Sequence, residues 1–208
     1  MKMSVVVQAG GESKRMGRDK GLVPFLGQPL VQRVIERIGP VADEILVTSN
    51  SLDSYRFLGI PIFLDIIPGR GSLSGLYTAF CSAKYPLVAV VACDMVFASA
   101  KVFAAEKELI LSSSYDGIVP QTDDGFEPFH SVYLKEPCVK AVKAALENGQ
   151  KRADCWFSRV NIGFLPSEQL ERLDPCHEAF INLNTPEELL GAELLASKQK
   201  DQNSTNGS

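Results

Sequence analysis

The residues best suited to chemistry lie in one run, Ala9-Gly10-Gly11-Glu12-Ser13-Lys14-Arg15-Met16-Gly17-Arg18-Asp19-Lys20, directly after the apolar segment Val5-Val6-Val7. Two adjacent glycines fall at the carboxyl end of a predicted first strand, and the cations Lys14, Arg15, Arg18 and Lys20 follow. Glycines let the backbone approach a ligand closely, and successive free N–H groups there form an anion cradle. Lysine and arginine add full charges to those dipoles, and arginine can grip two phosphate oxygens at once. Such a loop suits a polyphosphate. It is neither GxGxxG, whose glycines are spaced differently, nor the Walker pattern, because Gly17 is followed by Arg18 rather than Lys-Ser/Thr. The bare pattern also describes a solvated basic turn. Its place after a buried strand favours the phosphate, since open α/β sheets bind ligands at the carboxyl ends of their strands.

A second chemical group, Asp94, directly follows the run Leu87-Val88-Ala89-Val90-Val91-Ala92. That run has no polar alternation, the pattern of a central strand buried on both faces. A carboxylate at its end can satisfy turn amides or hold magnesium, a hard cation that takes one or two carboxylates together with phosphate oxygens and water. A phosphate loop at a neighbouring strand favours magnesium at Asp94.

Short apolar runs alternate with helical patterns, which predicts crossover units, a mainly parallel sheet and a Rossmann-like three-layer α/β fold. The first strand is predicted at Val5–Gln8. Pro29 opens a helix that carries Leu30, Val31, Val34, Ile35 and Ile38 on one face, and Gly39-Pro40 stops it. Strands are predicted at 44–48 and 61–64 with a short polar helix between them. A glycine-rich turn, Pro68-Gly69-Arg70-Gly71, leads into a helix at 73–83. Ser99 caps a helix to about Leu111. The segments 117–120 and 129–134 flank the turn-rich Gln121-Thr122-Asp123-Asp124-Gly125, an antiparallel hairpin addition. A helix at 138–147 and a strand at 162–165 follow. Thr185-Pro186-Glu187-Glu188 predicts an N-cap, a first-turn proline and a capping box.

The 208 residues suit one domain, read here as 1–197, with the polar stretch 198–208 as a disordered tail. The formal charge of −4 argues against general nucleic-acid binding, so the basic loop is a local feature that suits a small anion. Five cysteines without a C-x-x-C pair argue against a disulfide framework or zinc site and for reduced thiols in a cytoplasmic protein. His130 and His177 lack metal-ligand spacing, and Cys176-His177 reads as a plain loop. The amino terminus is too soon interrupted for a signal peptide, and no apolar run approaches membrane-spanning length.

The loop resembles the Leu-Ala-Gly-Gly-x-Ser-x-Arg-Met-Gly-x-Asp-Lys signature of the molybdenum cofactor guanylyltransferase family of nucleotidyltransferases, with Gln8 in place of Leu. Cys93-Asp94-Met95-Val96 resembles its Cys-Asp-Met-Pro, and Val96 in place of Pro implies a looser turn. Asn50, Asp65 with Gly71-Ser72-Leu73-Ser74-Gly75, Glu127-Pro128-Phe129 and Ile181-Asn182-Leu183-Asn184-Thr185-Pro186 match further family segments in order. Ser72 replaces Pro, Ser74 replaces Ala, and Glu127 replaces Gln. The Glu127 change brings a negative charge toward an anionic substrate.

The resemblance implies transfer of GMP from GTP to a molybdopterin-type cofactor with Mg2+. Gln8, Ala9, Gly10 and Gly11 would wrap the nucleotide through their backbone, Arg15 and Lys20 would neutralise the triphosphate, and Asp94 would hold the metal. Asn50 and Asp65 would lie on the nucleoside side, Asn182 and Asn184 near the acceptor. The same resemblance implies chaperones that insert the molybdenum cofactor, or the apo-molybdoenzymes, as onward partners. Two alternatives stay open: another nucleotidyltransferase of the same fold, such as a molybdopterin cytidylyltransferase, and a non-catalytic nucleotide-binding module.

Overall fold

The computed structural model describes residues 1–10 and 19–205, with side chains to residue 198. Gly11 and Arg15, assigned above to the nucleotide, lie outside the described residues. In chain order the strands are β1 (Met3–Gln8), β2 (Pro24–Phe25), β3 (Gln28–Pro29), β4 (Glu44–Thr48), β5 (Ile62–Phe63), β6 (Leu87–Ala92), β7 (Gly117–Val119), β8 (Gln121–Thr122), β9 (Gly125–Phe126), β10 (His130–Leu134) and β11 (Ile162–Phe164). The helices are α1 (Leu30–Ile38), α2 (Leu52–Tyr55), α3 (Ser72–Ser82), α4 (Ala100–Leu111), α5 (Lys135–Glu147), α6 (Ser167–Leu173) and α7 (Pro186–Thr205).

Among the described residues, seven strands form one sheet in the order β11-β7-β10-β6-β1-β4-β5. β6, β1, β4 and β5 run parallel, β10 is antiparallel to both β6 and β7, and β11 returns parallel to β7. The unbroken apolar run is the central strand of the seven. Side chains alternate between the faces of a strand. Val5 and Val7 of β1 pack with Val31, Val34 and Ile38 of α1 and Val102 and Phe103 of α4. Val6 packs on the other face with Leu73, Leu76 and Phe80 of α3 and Val142 of α5. The sheet is therefore sandwiched between helices, the expected three layers.

Parallel register brings the carboxyl ends of β1, β4 and β6 together, with Gln8 opposite Thr48 and Ala92. The segment after β6 is firmly held. Val96 and Phe97 are buried with Leu30 and Leu183, and Arg37 of α1 donates from Nε to the Ala98 carbonyl (3.0 Å) and from a terminal nitrogen to that of Phe97 (3.2 Å). At Val96, where the family signature has proline, apolar burial and the nearby Arg37 guanidinium hold the backbone.

The start of α4 is pinned from β10. The Ser99 N–H donates to His130 Nε2 (3.0 Å), and Phe103 stacks on the imidazole with ring centroids 4.0 Å apart. Burial lowers the His130 pKa to about 3, so the ring is neutral and Nε2 is free to accept.

α7 corrects the reading of the tail. Its capping box forms as expected, with Glu188 N–H donating to Thr185 Oγ1 (3.2 Å) and Thr185 N–H to Glu188 Oε2 (3.0 Å). The helical backbone then runs through Thr205, past the residue where composition placed a disordered tail. The Ala, Leu, Glu, Lys and Gln between 192 and 202 are strong helix formers, and no proline interrupts them.

Ser99 Oγ accepts the Val102 N–H (3.3 Å) as the α4 cap. Ser99→Ala should therefore cost about 1 kcal/mol in urea unfolding, while Ser99→Thr should keep most of it.

Candidate functional site

Lys20, Asp94 and Asn184 meet although they come from distant parts of the chain. The Lys20 ammonium pairs with Asp94 Oδ2 and donates to Asn184 Oδ1 at 2.7 Å. The Lys20 and Asp94 side chains are only 15% and 11% exposed, so the pair is largely withdrawn from water. In such surroundings charges interact more strongly than at an open surface, and an incoming anion meets little competing solvent.

Each partner is positioned by identifiable contacts. Lys20 opens a 3-10 turn, Lys20–Leu22, capped by Asp19, whose Oδ1 accepts the Gly21 N–H (3.2 Å). The same Oδ1 accepts the Tyr55 hydroxyl, which reaches over from the end of α2. Tyr55 is fully buried, and burial, reinforced by the Asp19 bond, raises its pKa well beyond the usual tyrosine range, so it stays a donor. Asp94 is held through its backbone, whose carbonyl accepts the Leu183 N–H (3.3 Å). Leu183 is buried with Val23, Val96 and Phe97. The asparagines on either side of it part company: Asn184 reaches Lys20, while Asn182 lines a separate cavity and donates to the Phe180 carbonyl (3.1 Å).

Sequence reasoning missed Tyr55. A short polar helix carries no mark of a hydroxyl aimed 36 residues back along the chain, and the only available signal was an aromatic residue in an otherwise polar segment.

The second half of the site lies over β4 and β5. Asn50 Nδ2 donates to Asp65 Oδ2 at 3.2 Å, and a side chain on Gly10 would meet Asn50 Nδ2 at 3.6 Å, so Gly10 lies against this pair. Burial raises the Asp65 pKa and the Asn50 bond opposes the rise. The loop after Asp65 is tied down on α3, with Ile66 N–H donating to Thr78 Oγ1 (2.9 Å) and the Ser74 hydroxyl to the Ile67 carbonyl. Ser74, which stands where the family has Ala, thus gains a structural bond. Ala9 continues the β1 ladder by donating to the Thr48 carbonyl (2.8 Å), and Gln8 accepts from the Cys93 N–H (3.0 Å).

Beside Asn182 opens a cavity of about 600 Å³ whose wall includes Thr122, Asp124, Glu127, Glu171, His177 and Phe180. Glu127 is half-buried and accepts the Thr122 hydroxyl at 3.4 Å. Burial raises its pKa to about 7, with Thr122 opposing and Asp124 adding to the rise. The negative charge feared at this position is thus partly quenched near neutral pH. His177 takes a left-handed backbone, φ 52°, as part of a loop.

Among the described residues no group of three or more His, Cys, Asp or Glu side chains could cage a metal. The residues fit magnesium in another way. One nearly buried carboxylate, Asp94, is a hard oxygen donor beside the Lys20 ammonium, and it would be the protein's share of a site that phosphate oxygens and water complete.

Comparisons with known proteins show the family and the fold. The sequence profile of the MobA-like NTP transferase domain matches residues 5–162. The chain belongs to that family. It is 30% identical over 195 residues to a probable molybdenum cofactor guanylyltransferase of Pelotomaculum thermopropionicum, covering 94% of each chain. It is 31% identical to the molybdenum cofactor guanylyltransferase of Shewanella woodyi, covering 90% of this chain and 94% of that one. The crystal structure of molybdopterin-guanine dinucleotide biosynthesis protein A from Archaeoglobus fulgidus superposes with a TM-score of 0.82 at 25% identity, covering 94% of this chain and 99% of that one. A cytidylyltransferase from Thermus thermophilus shares the fold with a TM-score of 0.67 at 15% identity, covering 95% of this chain and 100% of that one. The family match takes in Lys20, Asn50, Asp65 and Asp94, whereas Asn182 and Asn184 lie beyond it and are joined to the site by Leu183 and Lys20. No helix among the described residues is long and apolar enough to cross a membrane.

Two outcomes test the positioning contacts. A Cβ on Gly21 would lie 2.5 Å from the Tyr55 hydroxyl, so Gly21→Ala should destabilise the fold by at least about 1 kcal/mol. Adding Tyr55→Phe should recover part of that loss, read by denaturant unfolding. For Glu127, a folded-state pKa raised to about 7 means that the native state binds an extra proton between the ordinary carboxylate range and neutrality. Its contribution therefore falls as pH rises through that window. Melting temperatures should show Glu127→Gln gaining on the wild type as pH rises from about 4.5 to about 7.

Proposed function

We propose that this protein transfers GMP from GTP to the phosphate of a molybdopterin-type cofactor, forming the guanine dinucleotide and releasing pyrophosphate. The observation that carries the reading is the convergence of Lys20, Asp94 and Asn184 at the carboxyl end of the central strand, in a chain that belongs to the MobA-like family. An acceptor phosphate oxygen attacks the α-phosphorus of GTP, and the bond to the β-phosphate oxygen breaks with its electron pair leaving on pyrophosphate. The attacking phosphate is already ionised, so the protein contributes positioning and charge compensation rather than acid–base chemistry.

The Lys20 ammonium is the counter-charge for the triphosphate and the departing pyrophosphate, and Asn184 fixes where it points. Asp94 would hold Mg2+, which supplies charge neutralisation on the phosphate oxygens when bound. Arg15 adds a second cation. Gln8, Ala9, Gly10 and Gly11 approach the nucleotide through their backbone. Asn50 and Asp65 face the nucleoside, where the Asp65 carboxylate suits the N1–H and N2–H₂ donors of guanine. Asn182 and the cavity beside it form the acceptor side. The acceptor oxygens of Asp124, Glu127 and Glu171 suit the amino and ring N–H donors of a pterin. The protein's setting is the cytoplasm, with chaperones for the molybdenum cofactor or apo-molybdoenzymes taking up the product.

The deciding experiment incubates the protein with molybdopterin cofactor, Mg2+ and labelled GTP or CTP and identifies the dinucleotide formed. GTP should be preferred by at least about tenfold in kcat/KM, or about 1.4 kcal/mol. A CTP preference would replace the guanylyl reading by the cytidylyl one, and binding without any adduct would leave a nucleotide-binding module. Asp94→Asn should lower turnover about a hundredfold or more while the melting temperature and circular dichroism stay those of a folded protein.

A further inference from the structure

The last residue of β1 carries a polar group that the fold leaves unused. Gln8 Nε2 is buried and, among the described residues, has no hydrogen-bond partner. Leaving a buried amide donor unpaired is costly, and the leucine that the family signature carries here would avoid that cost. Strand alternation fixes where this side chain goes. Ala9, like Val5 and Val7, lies on the α1 side of the sheet, whereas Gln8 shares the face of Val6 beneath α3. There it packs flat on Gly75, since a Cβ at that glycine would lie 3.0 Å from Gln8 Oε1 and 3.3 Å from Nε2. α3 is also the helix that ties down the loop after Asp65 through Thr78 and Ser74. The Gln8 amide therefore stands on the Asn50–Asp65 side of β1, not on the Lys20 side.

We propose that Gln8 reads the base, with its Nε2 donating to the O6 carbonyl of guanine while Asp65 accepts from the neighbouring N1–H and N2–H₂ groups. This rests on the guanylyl-transfer reading and adds to it a side-chain selector where the family signature offers none. A donor beside an acceptor complements the guanine edge. Adenine presents an amino donor where guanine has O6 and an unprotonated N1 beside it, so the same pair opposes adenine. Nucleotide binding gives the buried amide the partner that the fold withholds.

The test compares Gln8→Leu and the closer-shaped Gln8→Met with the wild type, using calorimetric affinities for GTP and ATP and melting temperatures without nucleotide. Both variants should melt at or above the wild-type temperature, because an unpaired buried donor is gone. Both should narrow the preference for GTP over ATP by about tenfold, mostly through weaker GTP binding. An unchanged preference in variants of undiminished stability would overturn the proposal, because Gln8 would then act through its backbone alone. A clear fall in melting temperature would overturn it too, by showing the amide already satisfied in the free protein. A wild type that binds neither nucleotide would instead overturn the transfer reading on which the proposal rests.

Discussion

The pairing of Lys20 with Asp94 is the constraint around which the site is built. Two opposite charges, both nearly closed off from water, are separated by 74 residues of sequence and stay together only if their backbones are fixed independently. The Asp19 cap, tightened by the Tyr55 hydroxyl, fixes Lys20. Asp94 is fixed by the central strand before it and by the buried segment after it, which Arg37 and His130 hold from opposite sides of the sheet order. Removing one partner would leave the other charge uncompensated in a poorly hydrated place, a large penalty. On the proposed reading, a triphosphate with its metal would replace this pairing, offering an anion to Lys20 and a cation to Asp94.

The same sheet edge divides the labour. Over β1 and β6 lie the charges that suit phosphates; over β4 and β5 lies the hydrogen-bonded pair of exposed Asn50 and half-buried Asp65, which suits a nucleoside. About Leu183 the chain faces two ways, with Asn184 on the Lys20 ammonium and Asn182 on the cavity beside Phe180. Alternating side chains about a single buried leucine are enough to serve both.

Much of this was legible from the residues. The apolar run of β6 announced its central place, Ser99 and the Thr185-Pro186-Glu188 box announced their helices, and the places of Lys20 and Asp94 after the first and central strands announced that the two share one site. These are local signals, in which the residue that does the work lies within a few positions of the structure it makes. Tyr55 with Asp19, Arg37 with the Phe97 and Ala98 carbonyls, and His130 with Ser99 were illegible, because each is a bond across tens of residues whose two halves look ordinary alone. The helix through Thr205 failed for a different reason: its low mean hydropathy suggested a tail, while backbone propensity favoured helix. The short hairpin of β2 and β3 passes unnoticed because two-residue strands carry no periodicity.

The most direct measurement is a crystal structure with Mg2+ and a non-hydrolysable GTP analogue. The account predicts Lys20 Nζ on a phosphate oxygen, the metal on Asp94 and the guanine over Asn50 and Asp65. A triphosphate bound away from Lys20 and Asp94, with their ion pair intact, would contradict it.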